Sequence, residues 1–210
     1  MADLKRIYES NDENKELDYK INNIVATVYI ELEEKINLVK IARKFYGAEY
    51  YPERFPGLIF RQDNPRATFL IFSTGKMVIT GLEFIHDAEK AVSILVKKFK
   101  KIGIKLPDPK IIIQNIVANG NLHTLIDLNK AAILLDYAMY EPEIFPGLIY
   151  NMKDPRAVFL LFSTGKFVCT GIKNEEIIEE AILKLRRVLN NLEITSEKLI
   201  GHEEEELLFL

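Results

Sequence analysis

The segment FPGLIFRQDNPRATFLIFSTGKMVITG (55–81) returns ninety residues later as FPGLIYNMKDPRAVFLLFSTGKFVCTG (145–171). No gap is needed, and 18 of the 27 positions are identical. FPGLI, PRA and FSTGK fall in register, which two unrelated strand-rich stretches would not produce. The chain therefore reads as a duplicated subdomain, because a period of 90 residues exceeds that of solenoid repeats.

The likeness extends outward from this segment. Asn23-Ile24-Val25-Ala26 returns as Asn115-Ile116-Val117-Ala118 at an offset of 92, so the first half carries two extra residues, expected near 31–37. A short helical pattern follows in each half, NLVKIARKFYGAEY (37–50) and DLNKAAILLDYAMY (127–140). A longer one closes each half. Ala91, Ile94, Leu95, Phe99 and Ile102 share one helical face, as do Ile178, Ala181, Ile182, Leu185 and Leu189. Each half reads strand, short helix, several strands, long helix. Tandem copies of this kind suit a pseudo-two-fold arrangement within one chain.

Composition narrows the class. Of 210 residues, 48% are apolar and 28% charged, which excludes a mainly disordered or collagen-like chain. Apolar runs such as 24–30 fall far short of the roughly 20 residues of a membrane span. The polar N-terminus lacks an apolar h-region, so no secretory signal is expected. A single cysteine, Cys169, excludes a disulfide framework and suits a reducing compartment. The net charge of -3 is unevenly placed. Residues 1–20 carry six acids and four bases, and Glu203–Glu206 add four acids, which leaves residues 21–202 at +3. A mildly basic body between acidic ends is compatible with a nucleic-acid partner.

The strands carry the functional clue. Side chains alternate between strand faces, so Phe69 and Ile71 oppose Leu70 and Phe72, and Met77 and Ile79 oppose Val78 and Thr80. The second half repeats this with Phe159 and Leu161 against Leu160 and Phe162, then Val168 and Thr170. An antiparallel sheet with one solvated face should alternate apolar and polar residues, and this one does not. One long helix per half covers one face. The other face is expected to hold Val25, Leu70, Phe72, Val78, Thr80 and their copies. Two readings fit such a face: a binding surface, or packing against another sheet or a second chain. Asn23 and Asn115 are polar residues at equivalent positions of strongly β-type strands. Such a pair suits hydrogen bonding to a two-fold ligand, and side-chain amides can donate to the acceptors of a DNA minor groove.

At these residues the chain resembles the TATA-binding protein family, and its short length and acidic tail resemble the archaeal form. The resemblance covers about residues 20–195 and rests on the N-I-V strand starts, Y-x-P-E-x-F-P-G-L-I, and F-S-T-G-K-x-V-x-T-G. It implies an α+β fold: a tandem pseudo-two-fold repeat forming a saddle, with a curved antiparallel sheet and helices on the convex face. The implied division is an N-terminal extension (1–20), a first repeat (21–108), a second repeat (109–200) and an acidic tail (201–210).

The resemblance also implies a general transcription initiation factor that binds and bends an A·T-rich TATA element through the minor groove. Phe55, Phe72, Phe145 and Phe162 match the family's intercalating phenylalanines. Asn23 and Asn115 match its paired asparagines, and Thr80 and Thr170 its central threonines. Val25, Leu70, Val78, Val117, Leu160 and Val168 match its apolar groove contacts. Arg61, Ser73, Lys76, Ser163 and Lys166 match phosphate and sugar contacts. Asn151 stands where the family has a basic residue, so a weaker phosphate contact is expected there. Tyr140, Glu141, Glu143 and Ile144 match the loop on which transcription factor B docks, with Ile144 in place of a leucine; Glu53 and Arg54 stand at equivalent positions of the first half. RNA polymerase then joins the pre-initiation complex. No cofactor, metal or membrane partner is implied, and the expected location is the cytoplasm, at the nucleoid.

Enzyme readings find little support. Ser-Thr-Gly-Lys resembles a phosphate loop, but the glycine required five residues before Gly75 is Leu70, and Met77 follows Lys76. His86, His123 and His202 lack ligand spacing. Cys169 lies in an expected strand with no histidine nearby in sequence. The basic run Lys97-Lys98-Phe99-Lys100-Lys101 reads as a solvated helix face or a contact for DNA or a regulator. The alternative from another class is a protein-interaction module, or a homodimer off DNA, that buries the same apolar sheet face; within the family the alternative is a paralogue with altered DNA preference.

Overall fold

The computed structural model describes residues 17–196. The acidic tail, His202 and most of the N-terminal extension lie outside the described residues. The first half runs β1 (Asp18–Tyr29), α1 (Leu38–Lys44), β2 (Leu58–Asp63), β3 (Arg66–Ile71), β4 (Met77–Leu82) and α2 (His86–Lys101). The second runs β5 (Lys110–Asn121), β6 (Leu125–Ile126), α3 (Leu128–Leu134), β7 (Ala138–Met139), β8 (Leu148–Met152), β9 (Ala157–Leu161), β10 (Lys166–Ile172), α4 (Glu175–Asn191) and β11 (Thr195–Ser196). The expected order of strand, short helix, strands and long helix is present in both halves. The two extra residues lie between the first strand and the short helix, in 30–37 against 122–127.

Compactness divides the chain into two units that cross the repeat. The first unit holds Lys20–Asn119 with Cys169–Ile178; the second holds Gly120–Val168 with residues 17–19 and 179–196. In the first unit the strand order is β2-β3-β4-β1-β5, continuing into the Cys169–Ile172 end of β10. The β2–β3, β3–β4 and β1–β4 pairings are antiparallel. In the second unit residues 166–168 of β10 lead into β9-β8-β7, and the β8–β9 and β7–β8 pairings are antiparallel. There β6 and β11 add a small antiparallel pair that the sequence pattern did not announce.

Local chemistry sets the helix boundaries. Asn37 and Asp127 sit at equivalent positions before α1 and α3, and each side-chain oxygen accepts from a backbone N–H three residues on, at 3.0 and 2.9 Å. The long α2 has no side-chain cap. It instead carries Asp87 and Glu89 in its first turn and Lys98, Lys100 and Lys101 in its last, which complements the helix dipole.

One face of each sheet makes the core. In the first unit Leu58, Phe60, Phe69, Ile71, Met77 and Ile79 are buried, and so are Ala88, Ala91, Val92, Leu95 and Phe99 of α2. Phe45 ties α1 to both layers, edge-on to Phe60 at 5.3 Å and to Phe99 at 5.2 Å. In the second unit Leu148, Phe159, Leu161 and Phe167 are buried with Ala181, Ile182, Leu185 and Leu189 of α4. Each large side chain removed from water contributes roughly 1.5–3 kcal/mol, so the helix-covered face sets the strand registers. The alternate residues are left on the other face. There Val25, Leu70, Val78 and Thr80, and likewise Leu160 and Val168, are only half-buried.

Candidate nucleic-acid interface

The register lines the open face up in rows. In the first unit Ile59 pairs with Leu70 and Leu70 with Val78, an apolar row across β2, β3 and β4 that ends at the buried Thr27 of β1. Beside it Arg61 pairs with Thr68 and Thr68 with Thr80. In the second unit Ile149 pairs with Leu160 and Asn151 with Val158. Ile59, Ile149, Thr68 and Val158 belong to this face although the sequence reading did not select them. Alternation from the buried Leu58 and Leu148 is the signal that places them there.

Phe55 and Phe72 meet edge-to-face at 5.8 Å, and Phe145 and Phe162 at 6.0 Å. All four rings are half-buried. The glycine of FPGLI is what admits them. A Cβ on Gly57 would lie 2.6 Å from Phe55 Cε1 and 3.1 Å from Phe72 Cε1; on Gly147 it would lie 2.7 and 3.1 Å from the same atoms of Phe145 and Phe162. Each pair thus rests against bare backbone. A tight turn holds the second ring: Phe72 N–H donates to the Lys76 carbonyl at 3.0 Å, and Phe162 N–H to that of Lys166 at 3.0 Å. The turn brings an exposed lysine beside each ring pair, and Ser73 and Ser163 lie in the same turns. Lys76 Nζ also lies 5.7 Å from the centroid of Tyr29.

The two asparagines are held alike. Asn23 Oδ1 accepts from Gly81 N–H at 2.8 Å and from Thr80 Oγ1 at 3.1 Å. Asn115 Oδ1 accepts from Gly171 N–H at 2.8 Å, and its Nδ2 donates to Thr170 Oγ1 at 3.1 Å. Since a backbone N–H can only donate, the oxygen of each amide is fixed toward the glycine. For Asn23 this leaves Nδ2 as the donor on the open face, beside Val25. The glycines reach these positions through left-handed backbone, φ +84° at Gly81 and +83° at Gly171. On β4 this is a bulge: two steps along β1, Ile24 to Ala26, span three along β4, Leu82 to Ile79. The Thr-Gly that ends each repeated segment therefore builds the asparagine clamp. Asn115, Val117 and Thr170 lie in the first unit, together with Asn23, Val25 and Thr80.

Charge on this face is balanced locally. Arg61 alternates with the buried Phe60 and Gln62, so it shares the face of Ile59, and its guanidinium is ion-paired with Glu49. The side-chain amide of Asn151, its counterpart, donates to the Tyr137 carbonyl at 3.4 Å. Tyr140 is half-buried, and Glu141, Glu143 and Ile144 are exposed in the turn that leads into Phe145. Ile144 N–H and Phe145 N–H both donate to the Glu141 carbonyl at 2.9 Å. On α2 the lysines of the basic run are exposed around the buried Phe99, and Lys98 Nζ lies 5.3 Å from the Phe60 ring centroid.

Burial pushes the Cys169 thiol up to about 12. His86 and His123 are each beside one carboxylate, Asp87 at 3.8 Å and Asp18 at 2.7 Å. No group of three or more His, Cys, Asp or Glu among the described residues could hold a metal ion. No helix among them is long and apolar enough to cross a membrane.

Comparison with known proteins adds an independent line. The family described as "Transcription factor TFIID (or TATA-binding protein, TBP)" matches twice, over residues 18–102 and 110–192. The TATA-box-binding protein of Pyrobaculum islandicum is 49% identical over 191 residues, covering 90% of this chain and 95% of that protein. That of Pyrococcus abyssi is 47% identical over 189 residues, covering 90% of this chain and 95% of its own length. The solved structure of Methanococcus jannaschii TBP superposes with a TM-score of 0.75 at 38% identity, over 83% of this chain and 99% of that one. The repeated motifs, the α+β fold they build and these matches agree: the chain belongs to the TATA-binding protein family.

Proposed function

We propose that the chain is a general transcription initiation factor that binds an A·T-rich TATA element through the minor groove and bends it. The observation that carries this reading is the duplicated open face, each copy ending in a phenylalanine pair seated on a glycine. A face of Val, Leu, Ile, Thr and Asn lacks the donors and acceptors to read the major-groove code. It suits the degenerate minor-groove pattern, disfavours the guanine amino group, and gains most where base steps unstack easily. Minor-groove proteins, the TATA-binding family among them, wedge apolar side chains between base steps and recover the unstacking cost in contact area. Phe55 and Phe72 take that role at one end of the site, and Phe145 and Phe162 at the other. Asn23 Nδ2 donates toward a base acceptor near the centre, with Asn115, Thr80 and Thr170 beside it. Lys76, Lys166, Ser73, Ser163 and Arg61 contact phosphate and sugar.

A protein so nearly repeated binds a near-symmetric site in either direction with similar energy. Direction then comes partly from a second protein, and the loop Tyr140, Glu141, Glu143 and Ile144 is the dock for transcription factor B, which brings RNA polymerase. The test compares a TATA duplex with a scrambled duplex of equal composition, using a fluorescence bend assay over a salt series, with and without factor B. Preferential binding with a bend, tightened by factor B, is the expected result. Binding without preference or bend would make the chain a general architectural DNA binder. No binding at low salt, with a dimer that buries the phenylalanines, would make the open face a protein interface.

A further inference from the structure

The second unit exposes apolar side chains at positions where its duplicated counterpart is charged or glycine, while the first copy exposes Val39, Tyr46 and Tyr51 at other positions of the same run. Ile133 is 83% exposed, Tyr137 64%, Met139 51% and Ile144 80%, and Leu134 is exposed as well. All five fall within one short run of chain through α3, β7 and the turn before Phe145, and α3 packs on β7. At the repeat offset of 90 the first half has Arg43, Lys44, Gly47, Glu49 and Arg54 at these positions. The backbone design is shared, since both short helices have the same cap and bury equivalent residues, Leu38 and Ile41 against Leu128 and Ala131. Exposure is therefore common to both copies, and at these five positions only the second copy carries apolar side chains. Core packing does not call for them, because α3 already buries Leu128 and Ala131 toward the sheet.

The charges around this patch indicate the kind of partner. Asp136, Glu141 and Glu143 are exposed along the same run. The cations nearby are engaged elsewhere or lie flat on the patch. Lys130 Nζ donates to the Glu193 carbonyl at 2.8 Å, Lys184 Nζ is 3.1 Å from Asp154, and Lys153 Nζ sits 4.0 Å over the Tyr137 ring. An apolar centre with an acidic rim suits a partner with an apolar ridge flanked by basic side chains. A second copy of this chain is disfavoured, because a two-fold contact would bring the acidic rims against each other.

We propose that Ile133, Leu134 and Tyr137 form a protein-docking surface continuous with the Tyr140–Ile144 loop, and that it holds an apolar ridge of transcription factor B. This rests on the reading that factor B docks on that loop. The acidic loop then supplies orientation and the apolar patch supplies most of the residence time.

The test uses the full chain on a TATA duplex with purified archaeal transcription factor B. Ile133→Asn with Leu134→Gln removes the apolar centre without changing charge. Because both positions are exposed, thermal melting and binary DNA affinity should match the parent. Factor B affinity for the protein–DNA complex should fall at least tenfold, mainly through faster dissociation. Ile133→Arg with Leu134→Lys, which installs the first repeat's residues, should weaken it further by repelling a basic flank. Glu141→Gln with Glu143→Gln tests the loop separately. If the loop variant weakens factor B and the patch variants leave it unchanged, the proposal is overturned while the loop reading stands. If factor B does not bind the parent complex, both fail. If sedimentation shows that the patch variants instead dissolve a homodimer of the free protein, the occupant is a second copy and the proposal is overturned.

Discussion

The two repeats agree on one side of the sheet and differ on the other. On the open face Ile59, Leu70, Val78, Thr80 and both phenylalanines recur as Ile149, Leu160, Val168, Thr170 and their pair, and the asparagine clamps recur with 2.8 Å bonds to glycine. On the exposed side of the short helices Arg43 and Lys44 of the first copy correspond to Ile133 and Leu134 of the second. A ligand with near two-fold symmetry makes the same demand on both copies. A partner that meets one copy only makes no such demand, and there the copies are free to diverge. On the proposed function, the difference between the copies separates the surface for a duplex from the surface for a protein partner.

The largest expected effect lies in the shared part. On the proposed function, Phe72→Ala and Phe162→Ala would each remove a ring that stacks on an opened base step, a contact worth roughly 1–3 kcal/mol. Affinity for a TATA duplex should fall roughly ten- to a hundredfold, with a smaller bend in the fluorescence assay. The two variants should agree within about threefold. A large effect from one and none from the other would show that the halves do not share the load, and would break the comparison at its strongest point.

Gly57→Ala and Gly147→Ala come next. An added Cβ would meet the first ring at 2.6 or 2.7 Å, so the pair must shift. Overpacking of this kind costs about 1–3 kcal/mol, shared between ring placement and stability. Several-fold weaker DNA binding and a melting temperature lower by roughly 2–6 °C are expected from both variants alike. Unchanged binding and melting would mean that the rings are not held by this contact.

A smaller effect tests where the repeats part on the open face itself. Arg61 must loosen its pair with Glu49 to reach a phosphate, and an exposed pair is worth about 0–1 kcal/mol. Glu49→Gln should therefore tighten DNA binding roughly two- to fivefold at low salt. Asp63→Asn removes one charge from the same strand without touching Arg61, so it should do less. Equal gains from both would reduce the Glu49 effect to net charge. Asn151→Arg places a guanidinium on the copy in which Met139 stands at the position of Glu49. It should raise the magnitude of the salt slope by about one.

Much of this was legible before any coordinate. Ninety-residue self-similarity gave the element order, because strand and helix periods survive duplication as paired patterns. Alternation in Phe69-Leu70-Ile71-Phe72 told which residues lie under the helix and which stay open, since burial follows that period. What was not legible depends on contacts distant in sequence. Glu49 meets Arg61 only because residue 49 bridges to Ile59 beside β2. The division into compact units was hidden as well, because it cuts through β10 rather than through a linker. The apolar patch was half visible, as Ile144 in a loop motif; Ile133 and Leu134 read as ordinary helix residues until the structure turned them outward.

The smallest effect concerns a core position where the copies differ by one residue type. Cys169 occupies the place of Ile79, and both are buried. Burial alone raises the thiol to about 12, because the thiolate would lose its hydration. The unfolded chain ionises near 9.0, so between that pH and about 12 the folded state keeps a proton that the unfolded state has lost. Stability from this site is therefore complete below pH 9 and is lost as the pH rises toward 12. Cys169→Ile should change neutral-pH stability by less than about 1.5 kcal/mol, provided the pocket accepts the shape of its twin. The variant should lose less stability than the parent on going from pH 8 to pH 11, as urea melts would measure. Alkylation of Cys169 in the parent at pH 8 should proceed only at the rate of opening. Fast labelling of the folded protein would mean that this site is wet where Ile79 is dry, and that the two cores diverge as their outer surfaces do.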